Sequence, residues 1–307
     1  MTLLKFQKII LGWYKENRRD LPWRRTRNPY KILVSEVILQ QTQISRVLPK
    51  YKEFLETFPT LEALAKAPDK KLLKVWTGLG YWRRALYLKE TAKRIARRAR
   101  AMDSTRRVGP RAQRGVKREE KTQLERFFPR DPRVLETLPG IGPYTARALA
   151  CFAFNRCEPF LDTNIRRVYL HFFFPHQKNI SDKEILTIAQ KATLNLCICI
   201  NSKYSCAGAR EWYYALFDYG ALVLKDKNIN KRSRHWHKQN KFEGSFRSFR
   251  TKTVRFLLAY PKNKLSHKTL QTFLQKELKA SSYAPEEIIQ ALLEDKLIKK
   301  SKSHYFL

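Results

Sequence analysis

Two carboxylates and one glycine hairpin carry the chemistry this sequence can perform. Glu36 is a single acid inside an otherwise apolar helical run, "LVSEVILQQTQISRV" (residues 33–47), and the polar block Gln40-Gln41-Thr42-Gln43 follows it at once. A buried acid costs stability unless it has a partner or a role. Asp162, in "EPFLDTNIRRV", follows an apolar pair and precedes a basic amphipathic helix. Aspartate is a favoured helix N-cap. A carboxylate beside a helix N-terminus stays ionised, as a group that stabilises a cation must. Between the two acids, "LETLPGIGPYTARALACF" sets Gly140 and Gly142 two apart between helical segments, with Pro143 suited to open the second. Glycines there allow close backbone approach, and the free N–H groups of the following helix can bind a phosphate.

The elements that must position these groups are helical. The periodicity predicts helices over residues 3–17, 29–39, 44–58 and 82–100, with short helices in "TLEALAKA" and "KKLLKVWTG" broken by Pro68 and Gly78. No alternating strand pattern of useful length occurs before residue 296. The glycine hairpin reads as a helix-hairpin-helix motif, and the fold class is all-α. Residues 99–126 are polar and basic, with too few large apolar groups to order themselves, and are expected to be a flexible insertion. Residues 229–244 read as a basic connector. Residues 245–307 give three helices and a terminal hairpin, the outline of a winged helix, with Ser266 capping its second helix and Pro285 opening its third.

Composition narrows the partner. The chain has 307 residues, enough for two modest domains, and 43% are hydrophobic, enough for a packed core. There are 63 Lys+Arg against 27 Asp+Glu, a formal net charge of +36 spread along the whole length. A chain this basic is expected to meet a polyanion, nucleic acid first. No apolar run reaches the length of a membrane span. The N-terminus is an amphipathic helix without a signal-peptide cleavage site. Cys151, Cys157, Cys197, Cys199 and Cys206 lack metal-site spacing and read as reduced thiols of a cytoplasmic protein. His235 and His237 have no companion ligands, so no metal is expected.

In order along the chain, "RRDLPWR", "PYKILVSEVILQQTQ", "WTGLGYWRRALYL", "LPGIGPYTARA" and "FLDTNIRRV" resemble the MutY-type adenine DNA glycosylases. These belong to the helix-hairpin-helix base-excision superfamily that includes endonuclease III. The match covers about residues 1–98 and 127–224. It implies a two-lobed glycosylase domain over 1–228, ahead of the connector and the winged-helix-like domain. It implies that Glu36 protonates the departing adenine, that Asp162 stabilises the oxocarbenium sugar, and that Asn164 helps position water. An apolar surround suits the acid, because it raises a carboxyl pKa and keeps a proton available. The division of labour resembles carboxylate pairs in glycoside hydrolysis. By the same resemblance Gln41 and Thr42 enter the duplex and contact the base opposite adenine. Tyr81 is an aromatic wedge. Arg19, Leu21, Trp23 and Arg24 wall the adenine pocket, with Asp218 an acidic member. Gly140, Gly142 and Pro143 hold the DNA backbone. Tyr144 stands where lyases of the superfamily carry a Schiff-base lysine, which implies a monofunctional enzyme that leaves an abasic site. The implied substrate is double-stranded DNA with A:8-oxoguanine or A:G mispairs, met by a monomer at the nucleoid.

Two departures qualify the resemblance. Most members hold a [4Fe–4S] cluster through four cysteines after the counterpart of Gly220-Ala221, whereas this chain has none after Cys206. No cofactor is expected, and packing around Trp236 and Phe242 is expected to replace the clamp. Residues 245–307 are also too short and too helical for the Nudix-like reader of 8-oxoguanine, and "LSHKT" is expected to cap a helix. The competing readings are a thymine or uracil mismatch glycosylase and a non-catalytic DNA-binding protein. The intact SEVILQQT, with Glu36 as its acid, argues against the first, and the retained Glu36 and Asp162 argue against the second.

Overall fold

The computed structural model describes residues 1–104, 126–156, 158–198, 207–225, 227–238, 240–260, 264–279 and 281–307. Of the insertion expected over residues 99–126, residues 99–104 are helical and 105–125 lie outside the described residues, as do Cys157, Cys199 and Cys206. The fold is all-α apart from one small sheet. Among the described residues, no helix is long and apolar enough to cross a membrane. The chain forms two compact units, each built from two stretches of sequence. The first comprises residues 1–36 and 129–238, the second 37–128 and 239–307.

In the first unit, α1 (Leu3–Asn17) starts at Thr2, whose hydroxyl accepts from the Lys5 amide at 3.3 Å. It is followed by a 3₁₀ turn at Pro22–Arg24 and by the start of α2 (Pro29–Leu39). Then come α7 (Pro132–Glu136), α8 (Pro143–Phe154), α9 (Thr163–Phe173), α10 (Asp182–Ile198) and α11 (Ala207–Leu222). Phe6 of α1 inserts among Tyr169, Phe173 and Trp212, with ring centroids 5.0–5.4 Å away. Such tilted and edge-on pairs add about 0.5–1.5 kcal/mol each beyond the area they bury.

The segment after α11 is stitched back onto α9 by main-chain contacts and arginines. Arg167, buried on α9, donates to the carbonyls of Gly220 and Leu224 at 2.8 and 2.7 Å, satisfying the open end of α11. A 3₁₀ segment, Lys227–Arg232, follows. Arg232 donates to Phe174 and Pro175 carbonyls, both at 2.9 Å, where α9 ends. Ile180 and Ser233 form a parallel bridge, with Ile180 N on the Arg232 carbonyl and Arg234 N on the Ile180 carbonyl, each at 2.9 Å. Trp236 and Phe242 do not hold this segment as expected: they are 39% and 44% exposed. Fixed guanidinium–carbonyl bonds replace the aromatic packing anticipated there.

The second unit takes α2 from Val37 onward, then α3 (Ile44–Thr57), α4 (Leu61–Lys66), α5 (Asp69–Trp76) and α6 (Arg83–Ser104). Helix α6 continues four residues beyond the expected end at Arg100. The C-terminal part adds α12 (Phe246–Ala259), β1 (Lys264–Ser266), α13 (His267–Glu277), α14 (Pro285–Glu294), β2 (Lys299–Ser301) and β3 (His304–Phe306). The strands form an antiparallel sheet in the order β1-β3-β2. Strand β1 falls before residue 296, where none was expected, because three residues give too short a pattern to read. The Ser266 hydroxyl caps α13, accepting from the Thr269 amide at 3.1 Å, and Pro285 opens α14. Two carboxylates tie the C-terminal elements to α5 and α6. Asp69 pairs with Lys89 at 2.5 Å and Lys299 at 3.1 Å. Asp295 pairs with Arg83 at 2.9 Å and with Arg250.

Candidate active site

Helix α2 places Glu36. Residues 32–38 are buried on every face of the helix, five of them large aliphatics, so its one acid has no side that reaches water. Glu36 is 5% exposed. Burial pushes its carboxyl up to about 7. A hydrogen bond from Tyr144 and the charge of Arg24 pull it down, and the negative charge of Asp162 pushes it further up.

Asp162 is the N-cap of α9, as its sequence position implies. Its Oδ1 accepts from the Ile165 amide at 2.7 Å and its Oδ2 from the Asn164 side-chain amide at 2.9 Å. Burial raises its pKa above the usual aspartate value, against the direction that the cap alone suggests. The amides of Ile165 and Asn164, the Asn164 side chain and Arg166 all oppose that rise. These donors favour the anion on Asp162, while Glu36 retains its proton into the neutral range. Asn164 holds the Asp162 side chain through its own amide. Gly220 packs closely against the Asn164 backbone, where an added Cβ would lie 2.5 Å from the carbonyl oxygen.

Tyr144, in the first turn of α8, links the acids to the hairpin. Its hydroxyl bonds Glu36, and its ring meets Phe160 edge-on at 5.7 Å. Burial, and then the charges of Glu36 and Asp162, raise its own pKa well above the usual value. It carries no amine, so it cannot form a Schiff base. The glycine hairpin has the expected form. Gly140 has φ +73, Gly142 is the N-cap of α8, and Pro143 is its first residue. All three are exposed, so the α8 N-terminus is open to an anion. A groove of about 830 Å³ begins beside Tyr144 and is walled by Leu161, Arg147 and Lys183.

Arg19, Arg24 and Asp218 come together as a buried fork. Arg24 donates to the two Asp218 oxygens at 2.7 and 2.8 Å, and Arg19 Nε to Oδ1 at 2.6 Å. The Arg24 guanidinium also lies 4.5 Å from the Tyr214 ring centroid. Leu21 and Trp23 are buried beside this turn. Arg19, Arg24 and Asp218 thus form one fixed cluster, with Leu21 and Trp23 on the same turn, in the same unit as Glu36.

Gln41, Thr42 and Tyr81 lie in the second unit, on two turns. Gln41 and Tyr81 have φ +54 and +47, a left-handed conformation that costs energy for residues with a Cβ. One side chain that sequence reading did not single out holds both turns. Arg84, buried at the start of α6, donates to the carbonyls of Val37 (2.8 Å), Gln40 (2.5 Å), Leu79 (3.0 Å) and Gly80 (3.2 Å). Burial lowers its guanidinium pKa to about 10. Arg167 and Arg232 were missed for the same reason. Their partners are main-chain carbonyls, and the only visible signal was that Arg84 lies in "WTGLGYWRRALYL" and Arg167 in "FLDTNIRRV".

Residues 34–193 match the family described as the HhH-GPD superfamily base excision DNA repair protein. The chain belongs to the HhH-GPD superfamily. It is 33% identical over 229 residues to an adenine DNA glycosylase of Buchnera aphidicola subsp. Baizongia pistaciae, covering 74% of this chain and 55% of the relative. It is 43% identical over 160 residues to an adenine DNA glycosylase of Mycolicibacterium smegmatis, covering 52% and 46%. The chain thus spans about half the length of the curated relatives it matches. A solved thermostable thymine-DNA glycosylase shares the fold with a TM-score of 0.53 and 24% identity, over 75% of this chain and 94% of that one.

The four-thiolate cluster implied by the MutY resemblance does not fit the residues present. The stretch after Ala221 contains no cysteine, and its backbone is engaged by Arg167 and by the bridge to Ile180. Among the described residues, no group of three or more His, Cys, Asp or Glu could hold a metal ion.

Proposed function

We propose that this protein is a monofunctional DNA glycosylase that removes adenine mispaired with 8-oxoguanine or guanine. The feature that carries this is the pairing, inside one unit, of the buried Glu36, whose carboxyl is pushed up to about 7, with an Asp162 that accepts from the Ile165 amide and the Asn164 side chain. Adenine leaves poorly as an anion. A proton from the Glu36 carboxyl makes it a neutral leaving group as the C1′–N9 bond breaks and its electron pair stays with the base. The sugar is left as an oxocarbenium ion, which the Asp162 carboxylate stabilises. Water then adds to C1′, its proton passes to the Glu36 carboxylate, and an abasic site remains. Asn164 orients Asp162. Tyr144 orients Glu36 and, lacking an amine, supplies no lyase step.

Arg19, Leu21, Trp23 and Arg24, fixed by Asp218, form the adenine pocket wall. Gly140 and Gly142 present amides to a phosphate at the start of α8, which Pro143 opens. Gln41, Thr42 and Tyr81 enter the duplex, and their strained turns suit groups that must fill the gap left by an everted base. The protein works as a monomer at the nucleoid, with residues 1–228 the glycosylase domain and 245–307 a winged-helix-like domain, and without an iron–sulfur cluster. Duplexes carrying A:8-oxoguanine, A:G, T:G and U:G, incubated with protein and then cleaved with alkali, test this. The expected result is cleavage at adenine in the first two only. Cleavage at T or U, or at neither, contradicts it.

A further inference from the structure

The start of α12 brings a side chain of the C-terminal part onto Tyr81. Arg247 donates from Nη1 to the Tyr81 hydroxyl. Its guanidinium carbon lies 4.9 Å from the Tyr81 ring centroid and 5.3 Å from that of Phe242. Arg84 approaches the same Tyr81 ring at 5.4 Å. Tyr81 is thus gripped by two guanidinium groups while its backbone sits in the left-handed region. Such a conformation persists only where the surroundings over-determine it. Helix α12 is itself anchored, since Arg250, one turn on, pairs with Asp295, which also binds Arg83 of α6. A pocket of about 240 Å³ beside the grip is lined by Tyr81, Trp82, Arg247 and Arg250.

We propose that Arg247 is a positioning residue that orients the Tyr81 side chain for entry into the duplex. The C-terminal part, residues 240–307, then takes part in reading the base opposite adenine through Tyr81. This rests on the function proposed above. A ring held at its face and its hydroxyl loses little freedom on insertion, and pre-ordering one such side chain is worth a factor of about 3–10 in affinity. That gain applies only where the ring enters the stack, so it favours mispaired over matched duplex.

The test measures dissociation constants for A:8-oxoguanine, A:G and A:T duplexes in a Glu36→Gln background, which removes turnover. Arg247→Ala, Arg247→Lys, Tyr81→Phe and the Arg247→Ala/Tyr81→Phe double variant are compared, with excision by the wild type assayed in parallel. Arg247→Ala is expected to lower the mispair-over-matched ratio about three-fold or more, with the salt dependence unchanged. Arg247→Lys, which keeps the charge but not the planar fork, is expected to behave like the alanine variant. The double variant should lose no more than the worse single one. Equal loss on all duplexes with a salt slope shallower by about one would make Arg247 a phosphate ligand and overturn the proposal. So would full rescue by lysine, or losses that multiply in the double variant. Excision by the wild type with ratios untouched by Arg247→Ala overturns this role alone. A protein without mispair preference or excision overturns it together with the proposed function.

Discussion

Tyr144 donates a hydrogen bond to Glu36, and that bond opposes the burial that raises the Glu36 carboxyl to about 7. A carboxyl near 7 can both give and take a proton around neutral pH. Above about pH 7 the free protein loses that proton, so kcat/KM for excision should fall about ten-fold per pH unit there. Tyr144→Phe removes the bond that lowers the Glu36 pKa, so the alkaline limb should move to higher pH. A limb that stays put, or moves lower, removes Tyr144 from this role.

The same shift has a cost in stability. Glu36 binds its proton more tightly folded, at about 7, than at its ordinary value of 4.5. The native state therefore binds more protons between those values, and stability falls as pH rises through the window, by about 3 kcal/mol in all. Glu36→Gln cannot ionise. Its melting temperature should exceed the wild type's at pH 8, and the gap should close toward pH 5. Equal melting temperatures at both pH values would contradict the buried acid.

Gly220 fixes the Asp162–Asn164 turn from behind. Gly220→Ala puts a methyl group 2.5 Å from the Asn164 carbonyl oxygen, so α9 must shift. About 1–3 kcal/mol of stability should be lost by urea unfolding, with at least a ten-fold loss of excision. Gly12→Ala on α1 meets nothing within 4 Å and should instead stabilise, by about 0.5–1 kcal/mol. Similar behaviour of the two variants would show that Gly220 is not a contact of consequence.

Arg84→Ala removes the side chain that donates to the carbonyls of Val37, Gln40, Leu79 and Gly80, in the two turns that present Gln41, Thr42 and Tyr81. A loss of about 2–4 kcal/mol is expected from urea unfolding, with weaker mispair affinity. Arg84→Lys should recover less than half, because one ammonium cannot span both turns. Full recovery with lysine would mean that only the charge matters.

Much of this was legible in the sequence because it is local. The apolar surround of Glu36, the Asp162 cap, the Ser266 cap and the Gly140–Pro143 hairpin each follow from a few adjacent residue types. What escaped is non-local. Arg84 reaches back to Val37 and Gln40, and Arg232 to Phe174, through carbonyls that leave no trace in side-chain pattern. Trp236 looked like core by its type, but nothing in the sequence says that arginines already hold that segment.

Single-turnover excision of adenine from an A:8-oxoguanine duplex by wild type and Glu36→Gln tests the central claim most directly. The substitution should slow excision by about 10²–10⁴-fold, with the duplex still bound at wild-type affinity. A Glu36→Gln protein that excises adenine at the wild-type rate would contradict the assignment of Glu36 as the acid.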